Sequence, residues 1–245
     1  MKLLAFASRN SKEILRDKLN LAFGIGFPVV LLLLLTAIQS NIPVPLFVID
    51  HLAPGIAVFG LSFVSLFSGM LIAKDRTSSF MLRLFTSPLT AGQFILGYTL
   101  PLLPMALVQV AGCFAFASLL GLRLTVHVLT AILVLVPAAL LFIALGLLCG
   151  SLFTDRQVGG ICGALLTNFS AWLSGTWFDL NLVGGTFKTI AEHLPFMHAV
   201  EAGRAAIAGD YPGIFSHLWW VIGYATGLMG IAVLVFTRKM NSDNP

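Results

Sequence analysis

Residues 128–152 read VLTAILVLVPAALLFIALGLLCGSL, a run of twenty-five side chains without a single Asp, Glu, Lys, Arg or His. About 20 apolar residues carry an α-helix across roughly 30 Å of hydrocarbon. A helix that is apolar all round has no face to offer water, so this stretch reads as a membrane span. The same test applied along the chain finds Leu21 to Ile38, Ala53 to Ala73, Phe94 to Leu120 (with Pro101 and Pro104), Val158 to Phe178 and Leu218 to Thr237. The expected fold class is an all-α membrane protein with six transmembrane helices.

Composition agrees with a lipid solvent. Of the 245 residues, 58% are apolar and 10% charged, against about a quarter charged in soluble domains. Twenty phenylalanines stand against three tyrosines, as befits hydrocarbon, where a phenol finds no partner. The formal charge of +4 comes from Lys and Arg scattered between apolar runs. No basic stripe tracks a phosphate backbone, so nucleic acid is not an expected partner. The partner in view is the lipid bilayer.

Those basic residues set an expected orientation. With the N-terminus inside, eleven Lys and Arg lie in cytoplasmic segments and three (Arg123, Lys188 and Arg204) outside. Both termini are therefore expected in the cytoplasm. Glu13 and Asp17 in a leader of about twenty residues argue against a cleaved signal peptide. Leu3, Leu4, Phe6, Ala7, Ile14 and Leu15 alternate there with charges, so residues 1–20 read as an amphipathic helix on the inner leaflet. Residues 21–245 form the six-helix domain.

Two connections are distinctive. The cytoplasmic loop 74–89 reads KDRTSSFMLRLFTSPL; Thr77, Ser78 and Ser79 suit the start of a short helix and Pro88 its end. The external segment 179–217 is too apolar for a solvated loop, with Leu180, Leu182, Val183, Phe187, Ile190, Leu194, Phe196 and Met197. It is expected to fold as short helices against the outer membrane surface.

The spans lack the midplane carboxylate with which a secondary transporter binds its coupling ion. No GxxxxGK[ST] loop is present to cradle ATP, and no HExxH or GxSxG site appears. A metal at His193 and His198 is the less favoured reading against polar residues of a hairpin. Cys113, Cys149 and Cys162 sit inside apolar runs and read as packing residues. Gly146 and Gly150, and Gly159 and Gly163, have the spacing of close helix contact.

Three stretches carry a resemblance to a known family. They are the leader Arg9-Asn10-Ser11-Lys12-Glu13 through Arg16-Asp17, and Leu52-Ala53-Pro54-Gly55 through Asp75-Arg76 to Arg83-Leu84-Phe85-Thr86-Ser87-Pro88 and Gly97. The third is Ser174-Gly175 followed by Leu194-Pro195, Glu201 to Arg204 and Gly209. In order and spacing they resemble the permease subunits of ABC-2-type ABC transporters, the daunorubicin-export-like and related bacterial exporters. Trp177-Phe178-Asp179-Leu180 departs from the proline common after the family's fifth span. The resemblance implies a multi-pass permease in a bacterial cytoplasmic membrane, paired with a second permease and served by two ABC ATPase subunits. ATP and Mg would be bound by those partners, with no cofactor and no catalytic residue in this chain. It also implies that loop 74–89 is the coupling helix, with Asp75, Arg76, Phe80, Met81, Arg83, Leu84, Phe85, Ser87 and Pro88 meeting the ATPase. Phe80, Met81, Leu84 and Phe85 form an apolar patch at helical spacing, and Asp75, Arg76 and Arg83 would fix register at its rim.

A translocation path is expected along Phe59, Phe63 and Phe67, which repeat every four residues, with Asn168 and Trp172 of the fifth span. For the phenylalanines lipid contact is the competing reading, and for Asn168 a hydrogen bond between helices. An aromatic lining suits an amphiphilic drug, peptide or lipid-like substrate; a polysaccharide exporter and a non-transporting scaffold or immunity component are the alternatives.

Overall fold

The computed structural model describes residues 2–77 and 89–242, and all regular structure among them is helical. An amphipathic helix, α1 (Lys2–Arg16), turns at Asp17 into α2 (Lys18–Gln39). Asp17 caps α2 by accepting from the Asn20 amide at 3.2 Å. There follow α3 (Ile49–Thr77), α4 (Ala91–Leu119), and a pair, α5 (Val126–Val134) and α6 (Val136–Leu152), broken at Leu135 beside Pro137. Next comes a composite helix of α7 (Asp155–Gly160), a π-helical segment (Ile161–Leu166) and α8 (Thr167–Leu173). Three short helices follow, α9 (Leu180–Val183), α10 (Gly185–His193) and α11 (Pro195–Ala208), and the long α12 (Tyr211–Ser242) closes the fold.

Five segments are each long and apolar enough to cross a membrane: α2, α3, α4, α5 with α6, and α12 through Lys239. The sixth span expected from sequence falls on the composite helix, which is nineteen residues long, about 28 Å at 1.5 Å per residue, and is not among these five. It departs from the sequence reading at both ends. Thr154 and Gln157 form a reciprocal capping box that starts the helix at Asp155, three residues before Val158. Gly175 at φ +69 ends it, because that backbone conformation suits glycine and stops a helix. Residues 174–178 therefore turn inward rather than complete the span. The last helix likewise begins at Tyr211 rather than Leu218, where Asp210 accepts from the Gly213 amide.

The π-helical segment has a local compensation. Thr167 donates its hydroxyl to the Cys162 carbonyl at 3.0 Å, five residues back, a carbonyl that a wider helical turn leaves available.

Helix α3 is the axis of the molecule, buried over most of its length. Its small residues make this possible. A Cβ on Gly146 or Gly150 of α6 would collide with the α3 backbone at Ser65 and Gly69, so the two helices touch main chain to main chain. The Ser62 and Ser68 hydroxyls, fully buried, donate to Phe59 and Ser65 carbonyls at 2.7 and 2.9 Å, which satisfies them, and Ser68 also reaches the Ile143 carbonyl of α6 at 3.3 Å. Gly159 has open space around it and Gly163 only ordinary contact with Leu66; this pair does not draw helices together within the chain.

Candidate functional site

One end of the bundle carries α1 and the last turn of α3, which leads directly into residues 78–88. Phe80, Met81, Arg83, Leu84, Phe85, Ser87 and Pro88 lie outside the described residues. Asp75 and Arg76 are described: Asp75 is buried and Arg76 half-buried. Asp75 is 4% exposed and accepts two bonds from the Arg9 guanidinium, at 2.5 and 2.8 Å. Tyr98 of α4 donates its hydroxyl to the same carboxylate at 2.9 Å. Arg76 reaches α6 and donates to the Gly150 carbonyl at 2.8 Å. The physical reason is depth: α3 stays within the bundle to its last turn, so these charges find internal partners.

Around this joint the chain is shaped to receive α1. Asn10, fully buried, donates to the Gly97 carbonyl at 3.0 Å. Gly97 carries no side chain because the Phe6 ring occupies that space. Phe6 stands edge-on to Phe94 and Tyr98, with centroids 5.6 and 5.0 Å apart, a favoured aromatic arrangement. Burial alone would lower the pKa of Arg9, but the hydrogen bond and charge of Asp75 outweigh it and raise it above the ordinary value. The two-pronged geometry of the pair fixes the angle between α1 and α3. Tyr98 and Asn10 were not singled out from sequence. The signal for Tyr98 was present: one of three tyrosines, placed in an apolar run, needs an acceptor.

The aromatic residues fall into two groups. Phe59 is buried and packs its ring 5.7 Å from Phe63 and 5.5 Å from Trp177; Phe27 of α2 stands 5.4 Å from Phe63. Phe67, also buried, lies against Gly24 of α2. Within the chain the stripe packs as a seam between α2 and α3, with Phe63 half-buried. Trp172 and Asn168 lie elsewhere, on the outer face of the composite helix. Trp172 is 53% exposed, its ring 5.9 Å from Phe178. Asn168 is exposed and, among the described residues, donates only to Ala164 of its own helix, at 2.8 Å.

At the opposite end Arg204 of α11 ties three elements together. It donates to the His51 carbonyl at the start of α3 (3.2 Å), to the Gly175 carbonyl (2.9 Å) and to Glu201 (2.7 Å). Nearby, His198 and His217 face each other Nδ1 to Nδ1 at 2.9 Å, while His198 Nε2 lies 2.9 Å from the Glu192 carbonyl. That carbonyl requires a proton on Nε2, so Nδ1 of His198 accepts and His217 donates. The His198 ring stacks on Trp220 at 5.1 Å. His193 turns away to the Thr189 carbonyl, and among the described residues no three His, Cys, Asp or Glu side chains converge.

A family model described as ABC-2 type transporter matches residues 1–208. No curated protein matches the chain. The matched region contains both the joint at Asp75 and the Arg204 tie.

Proposed function

Because this chain belongs to the ABC-2 type transporter family, and is a multi-pass transport subunit rather than a catalytic one, we propose that it is the permease of an ATP-driven exporter of amphiphilic molecules. The observation that carries this reading is the joint at the end of α3. Asp75 and Arg76 are held by α1, α4 and α6 immediately before residues 78–88. A segment that takes up force from a separate motor needs a seat that does not yield. A two-pronged ion pair, a phenol and a helix carbonyl supply one. In this reading two ABC ATPase subunits bind ATP and Mg on the cytoplasmic side, where both termini lie, and residues 74–89 dock into them.

A second permease completes the path. Asn168 supports this, because an amide facing lipid is costly and the described residues offer it only its own helix. With Gly160 and Ala164 it forms a stripe of four-residue spacing on the exposed face, suited to a facing helix. The seam of Phe59, Phe63 and Phe67 then backs the path rather than lining it at rest. The apolar surroundings favour a drug-, peptide- or lipid-like cargo over a polysaccharide.

The test is reconstitution. The chain is co-expressed with candidate ABC ATPases of its own genome, purified with the one that binds it and placed in vesicles, and ATP-dependent loss of a fluorescent amphiphile from the compartment facing the ATPase is followed. Export supports the reading. A stable complex that hydrolyses ATP and moves nothing would favour a scaffold, and absence of any complex would remove the coupling role.

A further inference from the structure

At the bend between α1 and α2 lies a pocket of about 370 Å³, distinct from the aromatic seam's outer part and from the exposed face of the composite helix. Its walls change character with depth. The mouth carries Arg16, Asp17 and Lys74; the floor is Leu21, Phe67, Leu71 and Met105. Phe67 and Lys74 are seven residues apart on α3, about 10 Å along the helix, so the pocket runs from polar to apolar over the depth of a headgroup region. Where Phe67 packs on Gly24, α2 and α3 close its inner end.

The charges around the mouth are not equally available. Asp75 is engaged by Arg9 and Tyr98, and Glu13 leans to Arg9 at 3.7 Å. Asp17 accepts from Asn20 twice, at 3.2 and 2.6 Å. Arg16 and Lys74 are exposed, and neither forms an ion pair with any described residue. The mouth therefore presents both signs, the unpaired cations Arg16 and Lys74 beside the Asp17 carboxylate, above an apolar floor. Leu15 and Leu19, 67% and 69% exposed on either side of the bend, mark the surface there as one that meets hydrocarbon.

We infer that this pocket holds a membrane phospholipid, its phosphate between Arg16 and Lys74 and the first methylenes of one acyl chain against Leu21 and Phe67. Two cations of different kinds suit a phosphate: a guanidinium binds two oxygens in plane and an ammonium acts as a point charge. The volume takes a glycerophosphate head and the start of one chain, and the rest of the lipid stays in the bilayer. The bound lipid would brace α1 against α3 beside the Arg9–Asp75 joint. This site does not depend on the export reading.

The experiment uses the full chain in detergent, stripped of lipid, with thermal unfolding as readout and dioleoylphosphatidylglycerol, dioleoylglycerol or inorganic phosphate as probes. Phosphatidylglycerol is expected to raise Tm by several degrees, with the other two giving little. Arg16→Gln with Lys74→Gln should raise the half-saturating lipid concentration about tenfold, without lowering Tm in lipid-free detergent, since both side chains are exposed. Leu21→Trp, which fills the floor and leaves every charge in place, should abolish the shift. Equal stabilisation by dioleoylglycerol would overturn the phosphate contact, and an equal effect of inorganic phosphate would overturn the lipid. An undiminished shift in both variants would overturn the site. No outcome involves ATP or cargo, so failure here leaves the export reading untouched.

Discussion

Arg9 and Asp75, 66 residues apart in sequence, meet in a two-pronged ion pair that is nearly closed to solvent on the Asp75 side. A carboxylate so placed depends on its partner. Arg9→Gln leaves the charge uncompensated, a loss of about 3–5 kcal/mol, seen as a fall in Tm of the purified chain. Replacing both residues together, Arg9→Met with Asp75→Leu, should cost much less, because no charge is then stranded. If the single change and the double change fall by the same amount, the pair is not the source of stability at this joint.

The α3–α6 contact should be intolerant of bulk in a position-dependent way. Gly150→Val drives two backbones apart and is expected to abolish recovery of monodisperse protein. Gly159→Val, at a position with open space, should leave recovery of the single chain unchanged, within about 0.5 kcal/mol of wild type. Gel filtration of the two variants side by side decides it.

Asn168 offers a separation of folding from function. Among the described residues its amide bonds only to its own helix, so Asn168→Leu should leave Tm within about 1 °C of wild type, a change near the limit for a surface substitution. Transport and substrate-stimulated ATPase activity should drop in the assembled complex. Unchanged values of both would take Asn168 out of the path.

Acidification should loosen the end of the molecule that carries α11. Burial holds the His198 imidazole below its ordinary pKa, with His217 adding to the effect and Glu192 and Glu201 opposing it. The unfolded chain then takes up the proton more readily than the folded one. Stability is complete above the ordinary histidine range near about 6.5 and is lost as pH falls through it. A second proton also sets two N–H groups against each other at His198 and His217. Tm measured from pH 8 to 5 should fall below about pH 6.5 in the wild type, and less steeply in His198→Gln, whose amide keeps both a donor and an acceptor.

The membrane architecture was legible from long uncharged runs because lipid tolerates so few alternatives. Boundaries were less so, and the composite helix shows why. Its start is set by a capping box using Gln157, and its end by the backbone angle of Gly175; hydropathy sees neither. The phenylalanine repeat was correctly visible as one stripe, but periodicity cannot tell whether a stripe meets lipid, a pore or a neighbouring helix. Gly24, lying under Phe67, decides for the neighbour. Asp75 and Arg76 were expected at the rim of the coupling patch in loop 74–89, and their contacts inside the bundle were not foreseen. Their partners Arg9, Tyr98 and Gly150 come from three other helices, and no local pattern announces a contact across 66 residues.

Helix α3 is fastened near both tips by guanidinium groups: Arg9 on Asp75 below, Arg204 on the His51 carbonyl above. The helix they hold is 29 residues long, about 43 Å from end to end, and it meets the α6 main chain directly at Gly146 and Gly150. Such a member behaves as a strut. Bending it would break main-chain bonds, so a load at Thr77 swings the whole rod. A displacement of a few ångströms at one membrane face then reaches the other as a tilt, together with the turn at Gly175 that Arg204 also grips.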